Sequence, residues 1–421
     1  MFKRIVILLI LILVGVGAYT FLSGKKAADS TTSGQIILQP VTPTETEATN
    51  ISSIVPTTPD TPTVVGFSNF VVPDIETRSW ILMDVDTGQI LAEKDPDMRV
   101  EPASLTKLMT ASLVFDALDK GRISLEQEVM VTPQARAAEG SRMFIEINTP
   151  VKIGELIQGM IVQSGNDASI LLAQTVGGSL NVFVDQMNKR AAAFGMPNTS
   201  FGDPTGLPSE RTYTTARDMS VLAQHIILDH PQYYHYFSQL EYRYNNINQH
   251  NRNGLLRRNL GVDGLKTGHT SSAGYSLITT AQRDGRRLLS VVIGTESIAA
   301  RERANQALLD WGYANFVARE VADAGDEIVS LRVWEGKTKE ARLGSKNKVA
   351  ITVPRGREDE VQAITQINQK LVAPLQRGQQ VGLVQFVLDG HIMKEDPLVV
   401  IEAVEQAGLF GRLWDKLMGS F

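Results

Sequence analysis

The sequence predicts an α/β domain, then a small all-β domain and a C-terminal amphipathic helix. Strand-like patterns occur at both ends of the first half of the chain, with helical periodicity between them, which favours one sheet built from the two ends. Further on, short runs rich in Val and Ile alternate with turns, as in all-β units. The last residues are apolar at helical spacing, which predicts the terminal helix.

Composition narrows the classes of protein to be considered. The chain has 421 residues, enough for two or three domains. Its formal net charge of −5 does not suggest a nucleic-acid partner. The absence of cysteine excludes disulfides and thiolate chemistry, and the six histidines are scattered without ligand spacing. We therefore expect no metal and no cofactor.

The N-terminus has the features of an export signal. Lys3 and Arg4 precede an apolar run over residues 5–22, and its length of about 18 residues is close to what spans a bilayer. Residues 1–24 are therefore either a cleaved signal peptide or a retained membrane anchor. Residues 25–68 are dominated by Thr, Pro and Ser, and we expect a disordered linker there because such a segment has little to bury. Both interpretations place the rest of the chain outside the cytoplasm.

The first domain is predicted over residues 69–315. A strand, turn and strand occupy "SWILMDVDTGQILAEKDPD", and strand-like runs return at 274–281 and 287–294. Because the helical patterns lie between these strands, we expect one mixed sheet closed by the two ends of the domain. The helical patterns cover residues 105–118, 153–161, 168–176, 180–194, 216–228 and 300–313.

The second domain and the terminal helix follow directly. Over residues 316–404 the runs "EIVSLRVW", "KVAITVP", "QVGLVQFVL" and "PLVVIEAV" predict a β-rich domain. In residues 405–421 the apolar positions line one face of a helix, with charged residues opposite. This helix is too short to span a bilayer but could lie in the membrane interface. The alternative is a helix that packs on the β domain or on another subunit.

The strongest local motif is "EPASLTKLMT", which holds Ser104 and Lys107 three residues apart. This spacing puts both side chains on one face of a helix. A serine hydroxyl needs a neighbouring base to act as a nucleophile, and a partly desolvated lysine can lose its proton and serve as that base. S-x-x-K alone occurs by chance in many helices, so the motif needs support from elsewhere in the chain.

Two further motifs follow in the required order. "MIVQSGNDAS" supplies a second hydroxyl, Ser164, and an amide, Asn166, just before a helical run. "VDGLKTGHT" supplies a fixed positive charge at Lys266 and a hydroxyl at Thr267, just ahead of a strand, while Gly268 leaves backbone open for an extended substrate. Each triplet alone is more often a turn than a site. The joint occurrence of S-x-x-K, S-x-N and K-T-G is far more specific for an acylating serine site.

With these motifs the sequence resembles the low-molecular-mass penicillin-binding proteins, the serine-type D-alanyl-D-alanine carboxypeptidases of the penicillin-binding protein 5 group (peptidase family S11). The resemblance also includes "QHNRNGLL", "ITVPRGR", "APLQRGQQVG" and "PLVVIEAV", so it extends over the β-rich domain. It implies a β-lactamase/transpeptidase-like catalytic domain, a small β domain and a C-terminal amphipathic anchor. It also implies a location on the periplasmic face of the inner membrane, peptidoglycan stem peptides as substrate and β-lactams as covalent inhibitors.

The resemblance implies catalytic roles for four residues. Ser104 attacks the carbonyl between the two terminal D-alanines and becomes acylated. Lys107 is the base, and Ser164 with Lys266 relays the proton to the leaving amine. Water then releases the shortened peptide.

It also implies a substrate-binding set. Asn166 orients the peptide carbonyl, Thr267 contacts the terminal carboxylate, and Gly268 leaves backbone open to the substrate. The backbone N–H groups of Ser104 and His269 form an oxyanion hole, an interaction worth roughly 3 kcal/mol per donor.

Two arginines complete that set. Arg301 matches an arginine near the substrate carboxylate, the alternative being a surface helix arginine. Arg252 lines the pocket or has a structural role.

One position departs from the family pattern. Relatives carry an aspartate where this chain has Pro208, and that aspartate supports the residue matching His269. The shape of this loop is therefore in question.

Three other activities remain under consideration. A D,D-endopeptidase that cuts cross-links would use the same motifs. A β-lactamase would use a loop glutamate such as Glu210 to activate water, but "ERTY" lacks the asparagine expected after it. An inactive wall-binding homologue would not need the intact motifs. The sequence does not reveal the oligomeric state.

Overall fold

The computed structural model describes residues 63–64, 70–367 and 369–418. The predicted signal or anchor at residues 1–24 and most of the predicted linker lie outside these residues. Thr63 and Val64, which the linker prediction includes, form a short strand paired with Glu93 and Ala92, so the prediction of disorder is wrong for these two positions.

The first domain contains ten strands and eight α-helices among the described residues. The strands are β1 (Thr63–Val64), β2 (Ser79–Asp84), β3 (Ile90–Lys94), β4 (Glu128–Met130), β5 (Pro150–Lys152), β6 (Glu241–Tyr244), β7 (Ile247–His250), β8 (Val262–Thr270), β9 (Gly274–Arg283) and β10 (Arg286–Thr295). The helices are α1 (Lys107–Asp119), α2 (Pro133–Arg136), α3 (Ile153–Val162), α4 (Asn166–Gly177), α5 (Leu180–Ala193), α6 (Ala216–Asp229), α7 (His235–Ser238) and α8 (Ile298–Asn315). The six predicted helices are therefore confirmed, with shifts of one or two residues at most ends. The small helices α2 and α7, the two-stranded sheet β4–β5 and the hairpin β6–β7 were not predicted.

The main sheet has six strands in the order β1-β3-β2-β10-β9-β8. It joins the two ends of the domain, as the sequence predicted. Every pairing within it is antiparallel, so the expectation of a mixed sheet is wrong. Parallel pairing needs a crossover between successive strands, but here the helices form one block between β3 and β8.

Helix α1 forms the centre of the helical block. Its residues from Lys107 to Phe115 are all buried, and the helix is apolar on most of its circumference, as expected for a helix enclosed by others. Leu108 and Phe115 are completely inaccessible to solvent, and burying a side chain of this size stabilises the fold by about 1.5–3 kcal/mol. This packing fixes the start of α1, where Lys107 lies.

The second domain is all-β, as predicted. A five-stranded antiparallel sheet has the order β12-β13-β17-β16-β15, and β11 pairs separately with β14. The strands are β11 (Phe316–Ala322), β12 (Glu327–Arg332), β13 (Glu340–Ser345), β14 (Val349–Pro354), β15 (Gln362–Gln366), β16 (Gln380–Leu388) and β17 (His391–Val400). Alternating Val and Ile side chains fill the space on the buried face of these strands.

A buried polar network joins the two domains. The Asp84 carboxylate is inaccessible to solvent and accepts from Arg286 Nε at 2.6 Å and from Thr352 Oγ1 at 2.9 Å. Gln89 Nε2 donates to the Thr352 carbonyl at 3.0 Å. Because a buried carboxylate needs such partners, this network holds the β domain against the end of strand β2.

The chain continues into helix α9 (Leu409–Met418). Asp415 Oδ2 accepts from the backbone N–H of Glu335 at 2.7 Å, which ties the helix to the β domain. Leu409 is 77% and Phe410 92% exposed. Within the part of the chain that the structure describes, no helix combines the length and the apolar character needed to cross a membrane.

Candidate active site

Ser104 lies in a 3₁₀ turn, Ala103–Thr106, directly before helix α1. Lys107 is the first residue of α1, and its Nζ is 2.8 Å from Ser104 Oγ. The lysine side chain is only 1% exposed. The spacing of three residues thus places both groups on one face, as the motif predicted, although Ser104 precedes the α-helix instead of lying within it.

The loop before α6 brings a second partner to Lys107. Lys107 Nζ donates to the Thr205 carbonyl at 2.8 Å, and Thr110 Oγ1 of α1 donates to the Pro204 carbonyl at 2.8 Å. Gly206 has φ +84°, and a Cβ there would overlap the carbonyl of Ala103. Glycine is required here because the loop runs directly against the turn that carries Ser104.

Ser164 and Lys266 form a second serine–lysine pair. Lys266 Nζ lies 2.9 Å from Ser164 Oγ and 3.1 Å from the Thr267 carbonyl. Both side chains are buried. Ser164 has φ +63°, a left-handed conformation that costs a non-glycine residue on the order of 1–3 kcal/mol and is found most often at functional sites.

Burial changes the acidity of both lysines. It lowers the pKa of Lys107 from 10.5 to about 7; the Asp203 carboxylate opposes this shift, and the Arg252 guanidinium adds to it. Burial also lowers the pKa of Lys266 well below its ordinary value, and the positive charges of Lys107, Arg252 and Arg301 lower it further.

Asn166 is the first residue of α4 and is buried. Its Nδ2 donates to the Glu139 carbonyl at 2.6 Å, and its backbone N–H donates to Ser141 O. Its Oδ1 is buried and makes no hydrogen bond with the described residues. An acceptor left without a donor in this way costs about 1–3 kcal/mol, so Oδ1 is suited to accept a hydrogen bond from a substrate N–H, whereas the contact expected from the sequence was with a substrate carbonyl.

The K-T-G motif lies just ahead of the predicted strand, which is β9, and is itself part of strand β8, which was not predicted. Thr267 pairs with Leu277 of β9, Gly268 with Ser276 and His269 with Tyr275. Strand β8 is the last strand of the sheet, and a Cβ on Gly268 would lie 3.0 Å from the Pro102 carbonyl. The absent side chain thus lets β8 lie close to the turn that carries Ser104.

Arg301 belongs to the site region and is not a surface arginine. It is 4% exposed on α8. Its Nη1 donates to the Ser276 carbonyl at 3.3 Å and its Nη2 to the Arg252 carbonyl at 3.2 Å. Because Ser276 pairs with Gly268, the guanidinium bonds to the residue of β9 that lies beside the K-T-G motif. Burial lowers its pKa to about 10, while the neighbouring Glu302 carboxylate acts in the opposite direction.

Arg252 and His269 have exposed side chains. Arg252 is close enough to the buried cations to lower the pKa of Lys107, Lys266 and Arg301. The His269 ring stacks on Tyr275 with 4.1 Å between ring centroids. Its side chain therefore packs on β9, while its backbone continues strand β8.

The loop that departs from the family pattern is exposed at Pro208 and Glu210. Hydroxyl groups stabilise it: Ser209 Oγ and Thr212 Oγ1 lie 2.9 Å apart, and the Gly202 N–H donates to Thr212 Oγ1 at 3.1 Å. These bonds shape the loop without the aspartate that relatives carry at position 208.

Two acidic residues that the sequence analysis did not select organise the site. Asp167 is buried and accepts from the backbone N–H groups of Met143, Phe144, Ile145 and Ala168. It thus fixes the loop that holds Asn166. Asp203 accepts from the backbone N–H groups of Thr205 and Gly206. The signal available for Asp167 was an acidic residue in the first turn of a helix, which usually reflects the helix dipole alone.

Two models of known protein families match this chain. Residues 68–297 match the family model described as "D-alanyl-D-alanine carboxypeptidase". Residues 316–406 match "Penicillin-binding protein 5, C-terminal domain". The chain belongs to this carboxypeptidase family. The resemblance inferred from the motifs is therefore confirmed, as are the serine carboxypeptidase class and the sequence of a catalytic domain and a β domain.

Two relatives are similar in sequence to this chain along most of its length. The D-alanyl-D-alanine carboxypeptidase DacA of Haemophilus influenzae is 42% identical over 82% of this chain and 90% of its own length. DacC of Escherichia coli is 40% identical over 83% of this chain and 89% of its own length.

Solved structures support the same architecture. Penicillin-binding protein 5 from Haemophilus influenzae, at 40% identity, has a TM-score of 0.77 and covers 80% of this chain and all of its own. Penicillin-binding protein D2 from Listeria monocytogenes in its ampicillin-bound form is 28% identical. It has a TM-score of 0.54 and covers 58% of this chain and all of its own.

Replacing Gly206 by alanine is expected to lower the rate of D-alanine release from a D-alanyl-D-alanine peptide by on the order of 100-fold, because the new Cβ would displace the Ser104 turn. Gly285→Ala is the matched control: its φ is +79°, yet a Cβ there meets nothing within 4 Å. Equal activity losses in the two variants would mean that backbone strain, and not the close approach, explains the requirement for glycine.

Proposed function

We propose that this protein removes the terminal D-alanine from peptidoglycan stem pentapeptides through an acyl-enzyme on Ser104. One observation supports this assignment above the others: two buried lysines each lie within 3 Å of a serine hydroxyl in one site. A buried lysine with a lowered pKa can take the proton that makes a serine nucleophilic. The family to which the chain belongs supplies the bond that is cleaved.

Acylation begins at Ser104 and Lys107. The neutral amine of Lys107 takes the hydroxyl proton as Ser104 Oγ bonds to the carbonyl carbon between the two D-alanines. The backbone N–H groups of Ser104 and His269 stabilise the resulting oxyanion, an effect of roughly 3 kcal/mol per donor. The C–N bond then breaks and leaves an ester on Ser104.

The leaving amine needs a proton at this step. Ser164 and Lys266 form a hydrogen-bonded pair, in which burial lowers the pKa of the lysine well below its ordinary value. The proton that Lys107 took from Ser104 passes through the Ser164 hydroxyl to the D-alanine nitrogen, which leaves Lys107 neutral again. Water subsequently attacks the ester, and the same groups return the proton to Ser104 as the shortened peptide leaves.

Substrate binding uses strand β8 and the cations behind it. The substrate lies extended along Thr267 and Gly268, and the Asn166 amide bonds its peptide group. Thr267 binds the terminal carboxylate. Arg301 and Arg252 provide positive potential near that carboxylate. Arg301 also donates to the Ser276 carbonyl of β9. β-Lactams, whose ring opens onto the same serine, act as covalent inhibitors; the ampicillin-bound structure of a relative supports this.

The protein acts outside the cytoplasm, at the membrane surface. The basic and apolar N-terminus and the peptidoglycan substrate support this location. Helix α9 begins with two large, exposed apolar side chains, Leu409 and Phe410, and its sequence is amphipathic. We expect its apolar face to enter the membrane interface.

Ser104→Ala is expected to abolish D-alanine release from a pentapeptide and labelling by fluorescent penicillin, because no nucleophile remains. Ser112→Ala, at a buried serine of the adjoining helix α1, should retain both activities. Release or labelling that survives in the Ser104 variant would contradict the mechanism. Faster cleavage of a cross-linked dimer than of a pentapeptide by the unmodified protein would favour an endopeptidase instead.

The rate of acylation should depend on pH through Lys107. Because the neutral amine is the active form and its pKa is about 7, kcat/KM should rise from pH 5 to pH 8 and fall about tenfold per unit well below pH 7. The measurement is kcat/KM for a pentapeptide across this range. A profile that is flat from pH 5 to pH 8 would exclude Lys107 as the base.

Membrane association is tested by sedimentation with vesicles of phosphatidylglycerol and phosphatidylethanolamine. A chain lacking residues 1–24 should bind them, and Leu409→Ser with Phe410→Ser should weaken binding severalfold because exposed apolar area is lost. Leu228→Ser, at a position that is 51% exposed on α6, is the control. Unchanged binding of the double variant would show that α9 is not an anchor.

A further inference from the structure

A carboxylate with no assigned role shapes the wall of the site beside Lys107. Asp203 begins the short turn that ends at Gly206. Its Oδ1 accepts from the Thr205 N–H at 2.6 Å and from the Gly206 N–H at 3.0 Å, and also from Thr205 Oγ1. One oxygen thus fixes the conformation of the whole turn, as aspartate side chains commonly do.

The turn presents a backbone carbonyl to the proposed base. The Thr205 oxygen accepts from Lys107 Nζ at 2.8 Å, and Ser104 Oγ lies 2.8 Å from the same nitrogen. Helix α1 supports the turn through the bond from Thr110 Oγ1 to the Pro204 carbonyl. The position of the Thr205 oxygen therefore depends on both α1 and the Asp203 carboxylate.

We propose that Asp203 is a positioning residue for catalysis: its carboxylate holds the Thr205 carbonyl where it orients the Lys107 amine toward Ser104. This inference rests on the roles proposed above for Ser104 and Lys107. It concerns how the Lys107 amine is oriented and protonated, and not which bond is cleaved.

The geometry of a neutral amine explains why the carbonyl matters. Such an amine has two N–H bonds and one lone pair. When one N–H is bound to Thr205 O, rotation about the last bond of the lysine is restricted. The lone pair can then face the Ser104 hydroxyl at 2.8 Å. Without the carbonyl, the amine would sample orientations in which it cannot accept the proton, and misorientation by about 1 Å can cost on the order of 100-fold in rate.

The charge of Asp203 provides a separate readout. The charged groups that act on Lys107 come from several elements. Asp203 of the turn and Asp167 of α4 favour its charged form, Arg252 disfavours it, and Lys266 of β8 is the second amine near it. After burial, Asp203 has the largest influence on the pKa of Lys107. Removing its charge while keeping its shape should therefore make Lys107 easier to deprotonate.

The test uses the full chain and three variants. Asp203→Asn keeps an oxygen that can accept the same N–H bonds, Asp203→Ala removes it, and Asp185→Asn is a control at an exposed aspartate. For each, kcat/KM for D-alanine release and the acylation rate by fluorescent penicillin are measured from pH 5 to pH 9. Thermal unfolding and the final stoichiometry of penicillin labelling report whether each variant is folded.

We expect Asp203→Asn to retain the plateau rate of the unmodified protein within about threefold. Its acid limb should lie at lower pH, so that the ratio of its activity to that of the unmodified protein is higher at pH 6 than at pH 8. Asp203→Ala should lose on the order of 10- to 100-fold at the plateau, and Asp185→Asn should match the unmodified protein. If Asp203→Ala does not fold, the acid limb of Asp203→Asn decides the matter alone.

The inference is overturned if the acid limb of Asp203→Asn coincides with that of the unmodified protein or moves to higher pH. It is also overturned if a folded Asp203→Ala variant keeps the full plateau rate. Failure of the proposed function is distinguishable from these results, since it would appear as activity that persists in Ser104→Ala, whatever the Asp203 variants do.

Discussion

The burial of two lysine side chains in one site is the constraint on which the catalytic domain depends. Transferring an ammonium group to the protein interior costs several kcal/mol, so each lysine is stable there only if its pKa falls and its N–H groups find acceptors. Ser104 and the Thr205 carbonyl meet this need for Lys107, and Ser164 and the Thr267 carbonyl meet it for Lys266. The same burial that is costly for an ammonium group produces the free amine that proton transfer requires.

This constraint explains why the surrounding elements approach so closely. The site is enclosed by helix α1, the loop before α6 and the edge strand β8, which meet with glycine at two contact points, Gly206 and Gly268. Larger residues there would separate the walls and admit water to the amines. Water would restore the ordinary pKa of a lysine, so the tight packing is part of the chemistry and not only of the stability.

The local patterns allowed much of this arrangement to be predicted. The helical periods located six helices, and the S-x-x-K spacing predicted that Ser104 and Lys107 share a face. The association of Ser164 with Lys266 followed only from the resemblance to the family. The strand pairing was less accessible: an apolar run reveals a strand but not its direction or its neighbours, so the antiparallel sheet was mistaken for a mixed one.

The features of the site that the sequence did not reveal depend on tertiary burial. The burial of Lys107, Lys266 and Arg301 is evident only once the enclosing elements are known, and the sequence alone left a surface helix position open for Arg301. Asp167 and Asp203 were overlooked because acidic residues near turns and helix starts occur throughout soluble proteins. Only their contacts with particular N–H groups distinguish them.

The way in which the sheet joins the two ends of the domain has a consequence for folding. Thr77 Oγ1 donates to the Ile293 carbonyl across 216 positions of sequence, and strand β2 finds its partner β10 only after all the intervening helices have been synthesised. Contacts this distant in sequence form slowly because a long loop must close first. A partly emerged chain therefore lacks the strand that carries Lys266, and no acylating site exists until the domain is complete.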